Sequence, residues 1–211
     1  MRTAVILLLV ALISCSCDSK KESDKTPVKE LGKGDSSAAV KQGTSKNPYA
    51  PVDVSPMDMS YYPADYPILK MTDASIAPPL ARIIYSRPHL QGRNLFHDIL
   101  KYGELWRLGA NEATELDLYT DVTIQGKKIN AGRYVLYCIP EKEKWTIVLN
   151  SNIDSWGLHP DTAKDIARFM VPAQQSSNSI EFFTLIFQQS TTGADLVMAW
   201  DHVEVKLPIV F

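Results

Sequence analysis

The side chains best suited to chemistry stand close together in residues 106–114, which read WRLGANEAT. This stretch supplies an indole, a guanidinium, an amide and a carboxylate, from Trp106, Arg107, Asn111 and Glu112. A guanidinium presents a planar fork of donors that matches a carboxylate or a phosphate. The stretch therefore predicts a site for a small anionic or carbohydrate ligand. Two upstream cations and a loop tryptophan complete the set of predicted binding residues: Arg87, Arg93 and Trp156.

A structural role is the first alternative for the same residues. Arg107 and Glu112 could hydrogen-bond the backbone of a long loop and pair with each other. The two hypotheses differ in what they require. The binding hypothesis predicts that Arg107 and Glu112 are accessible and line one concavity, and it fails if both side chains are fully buried and paired, as the structural role has them.

A glycan-active hydrolase is the second alternative. Such an enzyme needs two carboxyl groups facing each other across a cleft, at a separation of about 5–10 Å. Glu104 and Glu112 are the available pair. Their spacing along a loop-rich region does not predict their distance in space. We therefore assign no catalytic residue and favour a ligand-binding, partner-binding or structural module over an enzyme.

The usual metal and nucleophile patterns are missing from the sequence. The histidines include no pair with metal-ligand spacing on a helix, and they are His89, His97, His159 and His202. No serine stands in a Gly-x-Ser-x-Gly elbow, and no glycine-rich loop could hold a phosphate. We predict no metal and no cofactor. Cys138, within an apolar strand, is predicted to be a buried, unreactive thiol.

The N-terminal residues predict a lipid anchor. Arg2 precedes an apolar run, residues 4–13, that is too short to span a bilayer. The run ends in LISC, which resembles the bacterial lipobox and implies removal of residues 1–14 as a signal peptide and acylation, with palmitate expected, at Cys15. Several acyl chains anchor a protein stably in a membrane. By resemblance to known lipoprotein sorting, Ser16 in place of an aspartate after Cys15 implies the outer membrane of the cell envelope, and the sequence does not indicate which face. An uncleaved anchor and a plain secretory signal are the alternatives.

Two segments separate this anchor from the domain. Residues 15–46 are rich in Lys, Ser, Asp, Glu and Gly, and bury too little apolar surface to offset the entropy cost of ordering. We expect a disordered tether there. Residues 47–80 mix prolines with methionines and tyrosines, which predicts an extended arm packed on the domain, too broken by proline for a helix or a central strand. A scaffold whose arm engages an envelope protein is the third hypothesis.

Residues 81–211 carry the pattern of an all-β domain. Short apolar or alternating runs are separated by turn signals, as in the hairpin pattern of residues 122–129 around Gln125 and Gly126. The pattern predicts about eight or nine strands in a single β-sandwich of jelly-roll type with few or no helices. The formal net charge of −2, of mixed sign, does not indicate nucleic-acid binding. With one internal cysteine, the domain must be held together by its apolar core.

Several motifs occur in an order and spacing that resembles the DUF2911 family, a domain of unknown function found in predicted bacterial lipoproteins. The motifs are YSRP (85–88), GR (92–93), YG (102–103), WRLGANEAT (106–114), AGRY (131–134), IP (139–140), Trp145 and Asn150. The resemblance runs from about Tyr85 to Ile209 and extends to the arm at residues 55–63. It implies domain boundaries and an envelope location, and no reaction. Members usually have Lys at Gln91, Leu-Pro at residues 129–130 and a small hydroxyl residue at Arg133, so neither Gln91 nor Arg133 is a predicted site residue.

Overall fold

Nine antiparallel strands form one continuous sheet in residues 53–211, the part of the chain that this computed structural model describes. The predicted signal peptide (1–14), the tether (15–46) and Cys15 lie outside the described residues. The strands are β1 (Met57–Tyr62), β2 (Ala81–Ser86), β3 (Thr114–Leu118), β4 (Val122–Ile124), β5 (Lys127–Ile129), β6 (Gly132–Pro140), β7 (Lys144–Asn150), β8 (Asp165–Ser190) and β9 (Gly193–Val210). Their order in the sheet is β1-β2-β3-β6-β7-β8-β9-β4-β5. The prediction of an all-β fold is confirmed.

Helical structure is short. The helix α1 (Tyr66–Thr72) joins β1 to β2, a π-helical turn spans Leu95–Ile99, and a 3₁₀ turn spans Thr162–Lys164. Among residues 53–211, no helix has the length and the apolar character needed to cross a bilayer. The expectation that prolines exclude a helix before residue 80 is wrong for α1. Its proline, Pro67, stands in the first turn, where a missing N–H removes no helical hydrogen bond.

The two longest strands bend the sheet back on itself. Residues 165–172 of β8 pair with β7, and residues 173–190 pair with β9. The β8–β9 register shifts twice between Gln175 and Thr184, and such irregularities increase local bending and twist. As a result β1 lies beside the second half of β8, where the Phe187 N–H donates to Ser60 Oγ at 3.3 Å.

One apolar core fills the space inside this curved sheet. Side chains alternate as the sequence predicts, so that Leu116 and Leu118 of β3 are both buried. Trp145 and Trp200 are also buried, which confirms their predicted core positions. Cys138 is buried as predicted, and desolvation raises the pKa of its thiol well above the ordinary value, so it stays protonated and unreactive.

Candidate functional site

The predicted site lies on the long connection between β2 and β3, residues 87–113, which is tied firmly to the core. Trp106 exchanges two backbone hydrogen bonds of 2.8 Å with Cys138 on β6. The Trp106 indole N–H donates to the Gly109 carbonyl at 3.1 Å, and the Thr114 hydroxyl donates to the Leu108 carbonyl at 2.7 Å. The buried side chain of Leu108 adds an apolar anchor. The backbone that carries Arg107 is therefore held on both sides.

A second loop, residues 151–161, packs against this connection at Gly157. The backbone of Gly157 has a φ of 80°, and a Cβ there would lie 3.0 Å from Ala113 and 3.2 Å from the Arg107 Cβ. Only glycine combines this conformation with so close an approach. Arg107 Nη1 then donates to the carbonyls of Trp156 (3.3 Å) and Asn111 (3.2 Å), which joins the two loops.

Between these loops lies a cavity of about 430 Å³, which we call the arginine cleft. Its polar side is formed mainly by Gln91, Arg93, Arg107 and Ser55. Its apolar side is formed mainly by Val54, Ile99, Leu100, Leu105, Trp106, Leu158 and Trp200. The structure thus brings together three of the predicted binding residues, which are Arg93, Trp106 and Arg107.

The arginines of the cleft differ from the others in the described chain. Residues 53–211 contain six arginines, which are Arg82, Arg87, Arg93, Arg107, Arg133 and Arg168. Four of them form ion pairs with aspartate or glutamate. Arg93 and Arg107 form no ion pair with a carboxylate of the described residues, and both line the cleft.

Both cleft arginines are oriented by backbone carbonyls. Arg93 donates from Nε to the Leu90 carbonyl at 2.9 Å and from Nη2 to the His89 carbonyl at 2.7 Å. Within residues 53–211, Nη1 of Arg93 and Nε and Nη2 of Arg107 bond no acceptor. Desolvation lowers the pKa of Arg107, and the negative charge of Glu112 opposes this shift. A partly desolvated cation that forms no ion pair with a carboxylate is stabilised by a bound anion.

Glu112 and Trp156 face a neighbouring cavity of about 570 Å³, which we call the acidic depression. Its main side chains are Met57, Ile84, Glu112, Glu115, Asp154 and Trp156. Arg107 is half-buried and Glu112 is exposed, so both are accessible, but the structure does not bring them to one concavity. Trp156 is 64% exposed, and its indole N–H donates to the Asn111 carbonyl.

Asn111, a predicted binding residue, lines neither cavity and has a structural role. Its backbone adopts a φ of 61°, a conformation that asparagine tolerates better than most residues. Its side-chain amide donates to Asp53 Oδ2 at 2.5 Å and to the Ser55 carbonyl at 3.3 Å. These bonds hold residues 53–55 at the cleft, where Val54 and Ser55 form part of the lining.

Arg87 lies in a different environment, which we call the seam and define by Asp58, Arg87, Phe182, Phe183 and Thr184. Arg87 Nη1 pairs with Asp58 Oδ2 at 3.2 Å. Its Nε donates to the Phe183 carbonyl and its Nη2 to Thr184 Oγ1, both at 3.2 Å. The guanidinium carbon also lies 5.7 Å from the centre of the Phe182 ring. These contacts join β1, the end of β2 and β8, and they engage all three nitrogens of the guanidinium.

The carboxylates considered for glycan hydrolysis lie apart. Glu104 is exposed and pairs with Lys101 at 3.6 Å, beside a third cavity that does not include Glu112. Glu112 instead shares the acidic depression with Glu115 and Asp154. In residues 53–211, no group of three or more histidine, cysteine, aspartate or glutamate side chains could hold a metal ion.

Sequence reasoning missed most of the apolar wall and the residue that positions it. Leu158 and Gln91 line the cleft, and Gly157 brings the second loop into contact with Arg107. The Trp156-Gly157 pair was a usable signal, because a glycine after an aromatic residue in a loop often marks a tight backbone turn. No sequence signal connects Leu158 with Ile99 or Val54, since these residues meet only through the tertiary fold.

Comparison with known proteins adds one match. A protein-family model described as "Protein of unknown function (DUF2911)" matches residues 70–209. No curated protein and no solved structure matches the chain. The matched span includes both cleft arginines, the floor of the cleft at Trp106 and Trp200, and the loop at Gly157. It does not include Val54 or Ser55.

Proposed function

The chain belongs to the DUF2911 family, whose function is unknown, and we propose that it is a cell-envelope protein that binds a small anionic ligand in the arginine cleft. One observation carries this proposal. Of the arginines in residues 53–211, the two that form no ion pair with a carboxylate of that part of the chain are the two that line the cleft. An anion would supply the missing partner.

The form of the cleft supports this role. Pockets for small ligands usually enclose about 300–1,000 Å³, and the cleft encloses about 430 Å³. Backbone carbonyls already orient the guanidinium groups of Arg93 and Arg107, so a ligand would lose little affinity to ordering them. The Trp106–Cys138 backbone pair holds the floor in place. A preformed site of this kind suits binding better than bond cleavage, which requires reactive groups as well.

Tests of ligand binding use the full chain with Cys15 and Cys17 replaced by serine, so that it can be purified without acyl groups. Its thermal unfolding is measured with small anions and with neutral analogues of the same shape. A ligand at 100 times its dissociation constant adds about 2.7 kcal/mol to the free energy of unfolding, which is a clear shift. We expect the anions to stabilise the protein and the neutral analogues to have little effect.

Matched variants tie this effect to the cleft. Arg93→Gln and Arg107→Gln each remove one guanidinium of the cleft. Lys142→Gln removes a charge of the same sign from an exposed loop position that does not line the cleft. The two arginine variants should weaken anion binding about 10- to 100-fold, because a charge-assisted hydrogen bond contributes roughly 1.5–3 kcal/mol. Equal losses in all three variants would reject the cleft as the binding site.

We further propose that Cys15 carries the lipid anchor and that this anchor lies in the outer membrane, with either face open to the domain. The lipobox-like LISC sequence and Ser16 support this proposal. Cells supplied with a labelled palmitate analogue should incorporate it into the protein. Incorporation should disappear in Cys15→Ser and persist in Cys17→Ser, and the reverse pattern would move the anchor to Cys17.

A further inference from the structure

We infer that the ligand of the arginine cleft is an aliphatic organic acid, with its carboxylate at Arg93 and Arg107 and its hydrocarbon chain along the apolar side. This inference rests on the proposed function and adds the chemical class of the ligand. It follows from the two kinds of side chain that line the cleft. The two cations and the apolar side chains belong to the same cavity, and no aspartate or glutamate of the described residues lines it.

The apolar side includes residues that water still reaches. Leu158 is 47% exposed and Val54 is 52% exposed, while Ile99 and Leu105 are partly buried. Covering such surface with a hydrocarbon chain removes apolar area from water, which favours binding in proportion to the area covered. A small inorganic anion could satisfy the arginines, but it would leave this surface exposed.

The chain path places this apolar surface directly beside the cation. Gly157 packs against the Cβ atoms of Ala113 and Arg107, and Leu158 is the next residue. Arg107 itself donates to the carbonyl of Trp156, the residue on the other side of Gly157. A carboxylate held by Arg107 would therefore begin its hydrocarbon chain next to Leu158. The floor beyond is made by Leu100 and by Trp106, which stacks on Trp200 at 5.5 Å.

The lining disfavours two other ligand classes. A sugar needs several hydrogen-bond acceptors as well as donors, and among the side chains that line the cleft only Ser55 and Gln91 can accept. A cationic ligand would meet Arg93 and Arg107, which repel it. An organic acid satisfies both halves of the cleft at once.

The experiment compares straight-chain carboxylic acids from acetate to dodecanoate, below their micelle concentrations, with the primary alcohols of the same lengths. Binding to the full chain carrying Cys15→Ser and Cys17→Ser is measured by calorimetry. Each methylene buried in the cleft should raise the affinity about fourfold until the cavity is filled, after which the affinity should level off. The matching alcohols should bind at least about tenfold more weakly, because they lack the charge.

A pair of variants in one loop locates the hydrocarbon chain. Leu158→Ser removes apolar surface from the cleft, and Ile153→Ser makes the same change at an exposed position that does not line it. Both positions are partly solvent-exposed, so neither change empties the core. Leu158→Ser should lower the affinity for long acids about tenfold and that for acetate, which has only one methyl group to cover, much less. Ile153→Ser should alter neither.

The outcomes separate this inference from the proposed function. If acetate and long acids bind equally well, and Arg107→Gln weakens both, the anion site stands and the aliphatic ligand is rejected. If no carboxylic acid binds but another anion binds through Arg107, the anion site again stands and the aliphatic ligand is again rejected. If acids and alcohols bind equally, or Arg107→Gln has no effect, both proposals fail. Equal losses in Leu158→Ser and Ile153→Ser would indicate nonspecific adsorption and would also overturn the inference.

Discussion

The seam and the arginine cleft each contain an arginine that the sequence marks as a binding residue, yet the two side chains have opposite surroundings. At the seam, Arg87 contacts a carboxylate, a carbonyl, a hydroxyl and an aromatic ring. In the cleft, Arg107 donates from one nitrogen to two carbonyls and forms no ion pair with a described carboxylate. An arginine thus indicates a ligand site only when the fold leaves part of its donor set unused.

The origin of this difference is topological. The partners of Arg87 come from β1 and β8, which the bend of β8 brings together around the end of β2. The partners of Arg107 come from its own connection and from the loop at Trp156. Arg87 therefore closes a contact between distant strands, and Arg107 stands at the edge of a cavity. The first should contribute mainly to stability and the second mainly to binding.

The largest effect is expected from Gly157→Ala, which disturbs the cleft through its backbone. The φ of 80° costs a residue with a Cβ roughly 1–2 kcal/mol, and crowding against Ala113 and Arg107 adds a similar amount. We expect the free energy of unfolding to fall by about 3 kcal/mol, measured by urea denaturation, with loss of anion binding.

Gly126→Ala is the matched control for that change. Gly126 has a φ of 77° in the β4–β5 turn, and a Cβ there would meet nothing within 4 Å. The control therefore carries the backbone strain without the crowding. It should cost about 1 kcal/mol and leave binding intact. Equal losses of stability in the two variants would show that the packing of Gly157 against Arg107 is unimportant.

A pH titration tests a second polar contact, between Tyr137 and Asp165. Like the seam, this contact should contribute to stability and not to ligand binding. Tyr137 donates to Asp165, and desolvation together with that carboxylate raises the pKa of Tyr137 to about 12, from 10.0. As the pH rises above 10, the unfolded chain loses this proton before the folded chain does. The free energy of unfolding should therefore fall by about 2 kcal/mol between pH 10 and pH 12.

Tyr137→Phe checks the origin of that pH dependence. The variant loses the hydroxyl, so its free energy of unfolding should depend less on pH above pH 10 than that of the unmodified chain. At pH 7 its free energy of unfolding should be the lower of the two. Urea unfolding at a series of pH values provides the measurement. A slope as steep as that of the unmodified chain would mean that another group causes the loss.

Exchanging the two arginines for glutamine tests the comparison directly. Arg87→Gln should lower the free energy of unfolding by about 2 kcal/mol, because it removes charged hydrogen bonds and a cation–π contact. It should not change anion affinity. Arg107→Gln should lower stability by less than about 1 kcal/mol, since its bonds are to exposed carbonyls, and should weaken binding strongly. The free energy of unfolding and the calorimetric anion affinity are measured on both variants. A loss of anion binding in Arg87→Gln would show that the seam and the arginine cleft do not differ in their role in binding.

Much of the fold was readable from the sequence because alternation and turn residues are local signals. The pattern in residues 115–119 placed Leu116 and Leu118 inward, and the Gln125-Gly126 turn marked the β4–β5 hairpin, as observed. The arm was harder to predict. Counting prolines did not reveal that Pro67 occupies a first helical turn, or that Met57–Tyr62 pairs along the whole length of β2.

The candidate site could be predicted as a set of residue types but not as a geometry. The stretch at residues 106–114 did supply Trp106 and Arg107 to the cleft. Whether an arginine is already paired depends on strand register and on the bend in β8, and neither follows from local pattern. Arg87 and Arg93 are close in sequence and look equivalent, but only Arg87 meets a carboxylate from β1.

The smallest effect is expected from Trp156→Phe, which tests the boundary between the two cavities. Trp156 faces the acidic depression, and its contribution to the cleft is the carbonyl that accepts from Arg107. Phenylalanine keeps that carbonyl and loses only the indole N–H bond to Asn111. Stability should fall by about 1 kcal/mol or less. The affinity for an anion should stay within about twofold by calorimetry. A tenfold loss of affinity would mean that the ligand reaches the indole, and that the two cavities act as one site.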